Sequence, residues 1–138
     1  MPLPNLADRR AYPFDKALEL RDYGAAALEA TGSSTGVEFA VRDIDVAKVV
    51  IDHGPITGTL TTGTNFWTIS VAVSDVVGGT YTTIATTGEL TAAKSQIELP
   101  ISGLLATYKD ADSAFIRVTA TKGGDIGDLT YGAYIVPA

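Results

Sequence analysis

Apolar and polar residues alternate with a period of two along much of this chain. The clearest run is Phe66–Ser74, where Trp67, Ile69, Val71 and Val73 alternate with Thr68, Ser70, Ala72 and Ser74. Such alternation belongs to a strand with one buried and one polar face. Val37, Phe39 and Val41 alternate with Glu38, Ala40 and Arg42 in the same way, as do Ala114, Ile116, Val118 and Ala120 with Phe115, Arg117, Thr119 and Thr121. A further alternating run covers 129–136, and weaker strands are expected at 47–51, 80–86 and 96–101. Pro100 has no N–H to give to a ladder, so the strand holding it should lie at an edge or stop there. Turn signals separate these runs: TGSSTG (31–36), HGPITGTLTTGTN (53–65), VGG (77–79), TTGE (86–89) and KGGDIGD (122–128). No helix of 10–15 residues intervenes, so the pattern predicts an all-β fold of seven or eight strands, an antiparallel β-sandwich or jelly roll.

The first thirty residues read differently. Pro2, Pro4 and Pro13 oppose regular helix and central strand, yet Leu3, Leu6, Tyr12 and Phe14 are too apolar to be left in water without a partner. Residues 1–22 are therefore expected to form an extended arm that lies on a neighbouring subunit or another surface, with the sandwich body in 23–138. Between them, DKALELRDYGAAALEA (15–30) leaves two readings open. Helix propensity is high over 15–22, and Asp15 could cap a helix there, but Gly24 interrupts the run and no clean apolar stripe follows. For 25–30 the pattern favours a strand that enters a hairpin through TGSSTG.

Composition narrows the chemistry. The 138 residues suffice for one domain, and 46% are hydrophobic against 19% charged, which excludes a disordered chain. Cys is absent and His occurs once, which removes disulfides, thiolate nucleophiles and multi-histidine metal sites. With 10 basic and 16 acidic residues the formal net charge is −6, so no basic surface for nucleic acid or anionic membrane is expected. The first sixteen residues have no apolar stretch of the signal-peptide kind, and no apolar run approaches the length of a membrane span.

The candidates for chemistry are few. Gly32-Ser33-Ser34-Thr35-Gly36 fits the nucleophile-elbow pattern, which needs a strand before the serine and a helix after it. Here the following VEFAVR alternates as a strand, so a polar turn is expected. His53, between Asp52 and Gly54, would need a nucleophile in reach and an orienting acid such as Asp52 or Asp45. Neighbours on a strand face opposite ways, so Asp52 is poorly placed, and a strand-end histidine bonded to a loop is expected. Asp110 and Asp112 fail the calcium-loop pattern, because Phe115 stands where glycine is needed and Thr121 where glutamate is. Gly123–Asp128 is one copy of a loop that binds calcium only when stacked in repeats, so it reads as a turn. Trp67 and the six tyrosines could form a sugar-stacking platform, but Trp67 is in phase with Ile69, Val71 and Val73, which places it in the core. No catalytic, cofactor or metal residues emerge.

The order of segments carries a resemblance. VEFAVRDIDVAKVVIDHGPITG is followed by FWTISVAVSDVVGGTYTTIATTGEL, and the chain closes with AFIRVTATKGGDIGDLTYGAYIVPA. This resembles the small capsid cement, or head decoration, proteins of tailed bacteriophages over residues 23–136. The places that carry it are Ser74 at the end of its strand, Tyr81–Ala85, Phe115-Ile116-Arg117 and Tyr131–Val136, the last two forming a paired hairpin in that family. The resemblance implies a virion protein on the capsid surface, made in the host cytoplasm and binding the major capsid protein and copies of itself as a small symmetric oligomer. It implies no enzyme activity, cofactor, nucleic acid or membrane. The competing expectation is a receptor- or glycan-binding module on a phage tail, which an exposed aromatic cluster would mark.

Overall fold

The computed structural model describes residues 19–34, 37–39, 47–74, 79–101 and 114–137, and among them every regular element is a strand. In chain order these are β1 (Glu19–Arg21), β2 (Gly32–Ser33), β3 (Val37–Phe39), β4 (Ala47–His53), β5 (Phe66–Ser74), β6 (Thr82–Glu89), β7 (Ser95–Pro100), β8 (Ala114–Gly123) and β9 (Tyr131–Pro137). One sheet has the order β1-β9-β4-β7; the other runs β2-β8-β5-β6, with β3 also paired to β8. All these pairings are antiparallel.

The order has a simple origin. If β2 and β3, which follow one another along β8, count as one broken strand, the early strands pair with the late ones in reverse. Thus β1 meets β9, β2 and β3 meet β8, β4 meets β7, and β5 meets β6. The chain is one long antiparallel ribbon, wound so that β4 also joins β9 and β5 also joins β8. That is a jelly roll.

The strictest alternation lies where the two sheets face each other. Trp67, Ile69, Val71 and Val73 of β5 and Ile116, Val118 and Ala120 of β8 are fully buried. Opposite them stand Val49 and Ile51 of β4, Tyr131, Ala133 and Ile135 of β9, and Leu20 of β1. One end is closed by Ile56, Leu90, Ile126 and Leu129, which reach the core from the connections. Trp67 fixes that end by donating Nε1–H to the carbonyl of Gly127 at 2.8 Å. β7 is an edge strand and ends at Pro100, as the missing N–H requires.

Four expectations need correction, and one open reading is resolved. Residues 25–30 are not a strand: they form a loop whose ladder contact is a single bridge, Leu28 to Leu129. Of the segment left open between helix and strand, residues 19–21 are strand, because Leu20 is drawn into the core. TGSSTG is not a hairpin turn, since Gly32 and Ser33 lie along β8, opposite Ala120 and Thr119. TTGE is not a turn either but part of β6. Gly88 has φ +71°, and the register against β5 slips between Thr68 and Ser70. This is a bulge, and its loosened backbone is met by hydroxyls: Ile69 N–H donates to Thr87 Oγ1 at 3.1 Å and Gly88 N–H to Thr86 Oγ1 at 3.3 Å. Finally, β8 and β9 are not a hairpin; they sit in different sheets, and residues 124–130 cross between them. Of the arm expected over 1–22, residues 1–18, with Leu3, Leu6, Tyr12 and Phe14, lie outside the described residues, as do Asp45, Asp110 and Asp112.

The central layer sets the first test. Val71 is fully buried among apolar neighbours, so Val71→Asp places an unpaired charge there. The expected loss is about 4 kcal/mol or more, out of a typical total of about 5–15 kcal/mol. Urea denaturation at neutral pH measures it, and a variant that melts like the parent would mean Val71 does not face inward.

Candidate functional site

The residues singled out by pattern do not converge. Ser34 lies beside β8: its N–H donates to the carbonyl of Val118 at 2.8 Å, and its hydroxyl accepts the N–H of Val118 at 3.0 Å. The hydroxyl therefore extends the ladder past Ser33. His53 ends β4 in the other sheet, 1% exposed, with Nδ1 2.8 Å from the carbonyl of Gly54. A carbonyl only accepts, so Nδ1 carries the hydrogen. Asp52 points away from His53, and its Oδ1 accepts from Gln96 Nε2 at 2.9 Å. The glycine-rich loop 123–128 is engaged by the protein itself, through Asp125 N–H to Asn65 Oδ1 at 2.9 Å and Gly127 N–H to the Thr57 carbonyl at 2.9 Å. Among the described residues no three of His, Asp or Glu gather as metal ligands would.

The structure brings together a group that pattern reading missed. His53 and Tyr131 are register partners on β4 and β9, and both point into the sandwich. The Nε2 of His53 and the hydroxyl of Tyr131 are buried without a hydrogen-bond partner. Arg21, from edge strand β1, places its guanidinium 4.4 Å from the centre of the Tyr131 ring. It donates Nη1 to the Tyr131 carbonyl and Nη2 to the carbonyl of Ala26 at 2.8 Å. One cation thus ties β1, β9 and the 22–28 loop together. Burial pushes the Tyr131 phenol up to about 12, against the opposing pull of Arg21. Both polar side chains are closed off from solvent and serve packing in this arrangement. The Arg21–Tyr131 pair, 110 residues apart, left no signal in the sequence because neither strand's pattern names its neighbour.

A second group lies on the outer face of the four-stranded sheet, where Tyr23, Asp52 and Lys94 line an open depression of about 370 Å³. Tyr23 is 43% exposed, and is the exposed large apolar side chain among the described residues. A Cβ on Gly132 would stand 3.0 Å from the Cβ and backbone nitrogen of Tyr23, and one on Gly54 would stand 2.8 Å from its hydroxyl. The tyrosine therefore lies flat along the sheet over two positions that carry no side chain. The outer face of the other sheet has a different character. There Arg117 stacks 4.1 Å over the Tyr81 ring, and a row of hydroxyl residues, Ser33, Thr119, Ser70 and Thr86, crosses β2, β8, β5 and β6 in register.

No known protein family matches the sequence, and no curated protein matches it. Among solved structures, the fold is similar to a chain in the structure of infectious bursal disease virus, Gx strain. Identity is 11% and the TM-score 0.37, over 86% of this chain and 31% of that one. This chain thus spans about a third of the length of that protein.

The buried phenol generates a pH test. Its folded value lies above its unfolded value of 10, so the fold favours the neutral form and is favoured by it in turn. That contribution is whole below pH 10 and is lost as pH rises towards about 12; two units correspond to about 3 kcal/mol. Tyr131→Phe should remove this alkaline fall while changing stability little at pH 7, because the hydroxyl has no partner to lose. Urea midpoints at pH 7, 10, 11 and 12 check it. An equal alkaline decline in both proteins would place the titrating group elsewhere.

Proposed function

We propose that this chain is a structural virion protein, a cement or decoration protein that binds the outer surface of an assembled phage capsid and stiffens it. The observation that carries the proposal is the jelly-roll strand order, an architecture that recurs in viral capsid domains as well as lectins. The step from fold to role is an analogy. It is joined by the resemblance of the segments that form β4, β5, β6 and β8 to the cement family. The separation of β8 from β9 departs from that family's final hairpin and removes one part of the likeness.

The partners in this reading are the major capsid protein and neighbouring copies of the chain. A small domain that touches two or three shell subunits links them, and a symmetric oligomer repeats the link, so modest contacts combine. Binding only the assembled shell stabilises it by mass action, because separate subunits offer no composite site. The role needs neither catalysis nor a cofactor, so Ser34 and His53 are assigned to packing and strand pairing. The tail-module reading asks for a cluster of exposed aromatics; a single exposed tyrosine, Tyr23, among the described residues favours the clamp as the main role.

Two measurements test the proposal. Particles stripped of the protein should release packaged DNA at a lower temperature, and adding the protein back should restore the original release temperature. Particles that resist heat equally well without it would overturn the shell role. Deleting residues 1–13 should leave the body folded, with an unchanged circular dichroism spectrum, but weaken attachment to the particle. Unchanged attachment would remove the arm from the interface.

A further inference from the structure

We propose that Tyr23, Asp52 and Lys94 form a subsite for a neutral hexose on the outer face of the four-stranded sheet. The inference stands apart from the shell role, because an isolated chain would bind sugar whether or not it attaches to a particle.

The first argument is the way Tyr23 is held. An exposed aromatic side chain on a loose loop would lose much of its contact energy to ordering. Here the loop is braced from three directions. Asp22 Oδ1 accepts the N–H of Gly24 at 2.8 Å, the Asp22 carbonyl accepts the N–H of Ala25 at 3.0 Å, and Arg21 holds the Ala26 carbonyl at 2.8 Å. Beneath the tyrosine, a Cβ on Gly132 would press on its Cβ and backbone nitrogen and one on Gly54 on its hydroxyl, so the two glycines let the ring approach the sheet closely. The side chain thus lies against the sheet on a braced backbone, yet keeps 43% of its surface open to solvent. A rigid, amphipathic aromatic surface of this kind is an efficient contact for a small ligand.

The second argument is the chemistry around the aromatic. Asp52 faces outward, directly opposite Gly132 in the register. Gln96 engages Oδ1 and so orients the carboxylate, with Oδ2 left to accept from a ligand. Lys94, in the connection between β6 and β7, is exposed and makes no hydrogen bond or ion pair among the described residues. Asp52 and Lys94 do not pair with each other, although both line the same depression. The site thus offers an apolar plane, an acceptor and a donor, with formal charges that cancel. A pyranose presents the matching set: a face of C–H bonds and a rim of hydroxyls that both donate and accept. An anion would be opposed by Asp52 and a cation by Lys94, which leaves a neutral ring as the best fit. The depression, at about 370 Å³, lies at the small end of ligand pockets, suited to one ring rather than a chain.

One aromatic and two polar groups in an open site give weak binding, with a Kd of about 1–10 mM. The test is a titration of the isotope-labelled full chain with glucose, galactose and N-acetylglucosamine, followed through its amide shifts by NMR. The proposal expects shifts at Tyr23, Asp52, Gly54, Lys94 and Gly132 with at least one of the three sugars. They should be insensitive to salt, because the ligand is neutral. Sorbitol, which has hydroxyls but no ring face, should give none. Tyr23→Ala should weaken binding about tenfold or more, and Tyr23→Phe should retain it. Lys94→Ala, at an exposed position, should weaken binding without disturbing the fold, which keeps the test available if Tyr23→Ala fails to fold. Absence of shifts with all three sugars would overturn the proposal, as would binding that survives both Tyr23→Ala and Lys94→Ala. Salt-sensitive binding of glycine at the same amides, with no response to sugar, would also overturn it and assign the depression to charged ligands.

Discussion

The molecule depends on one layer of side chains, where the inner faces of β5 and β8 meet those of β4 and β9. Side chains on a strand alternate strictly, so a slip of one residue turns every apolar group of that strand towards solvent. Each of these four strands is paired on both sides, and a slip in one would be passed to its neighbours. Burying a single valine or isoleucine is worth about 1.5–3 kcal/mol, and the layer holds eight of them beside Trp67, Tyr131, Ala120 and Ala133. That sum, set against chain entropy, fixes the register, and the register then places every outward residue. Tyr23 can lie flat only because Gly132 is the outward position of β9 at that level, opposite Asp52.

The open borders of the sheets are handled by other means. β7 exposes an unpaired edge, a ready template for another strand. It ends in proline, and its outward Glu98 meets Lys48 at 2.7 Å. Such a partly exposed ion pair contributes about 0–1 kcal/mol, so its value lies more in keeping charge at the edge than in holding the sheet. At the end of the sandwich the work falls to connections. The loops around Ile56 and Ile126 push apolar side chains into the opening, and the Trp67–Gly127 hydrogen bond holds one of them down.

How much of this was legible follows from what alternation can report. It gave β5 residue for residue, placed β8, β9 and β4 within a few positions, and put Trp67 in the core. Period and phase are properties of a single strand and survive in its sequence. Pairing is a property of two strands, and there the reading failed. The glycine-rich run after β8 looks like a hairpin turn, yet it carries the chain to the other sheet. Gly88 looks like a turn residue because it needs positive φ, and a bulge makes the same demand. Gly32 and Ser33 have too few residues to show a period, so their place beside β8 was invisible. The outer depression was equally hidden: Tyr23, Asp52 and Lys94 come from three distant segments, and nothing in any one of them names the other two.

The ribbon topology also governs the order in which the fold can be made. β9 follows every other described strand in the chain, yet it is an interior strand, with β1 on one side and β4 on the other. While the chain emerges from a ribosome, β1 and β4 have no common neighbour, and Val49 and Ile51 have only half of their final surroundings. The four-stranded sheet cannot close until residues 131–137 arrive. Its pairings span most of the chain, which belongs to the slow end of folding rates, from milliseconds to seconds. Until then the apolar faces of β4 and β5 are open to neighbouring chains. That interval is the stage most exposed to aggregation, and it is set by strand order alone.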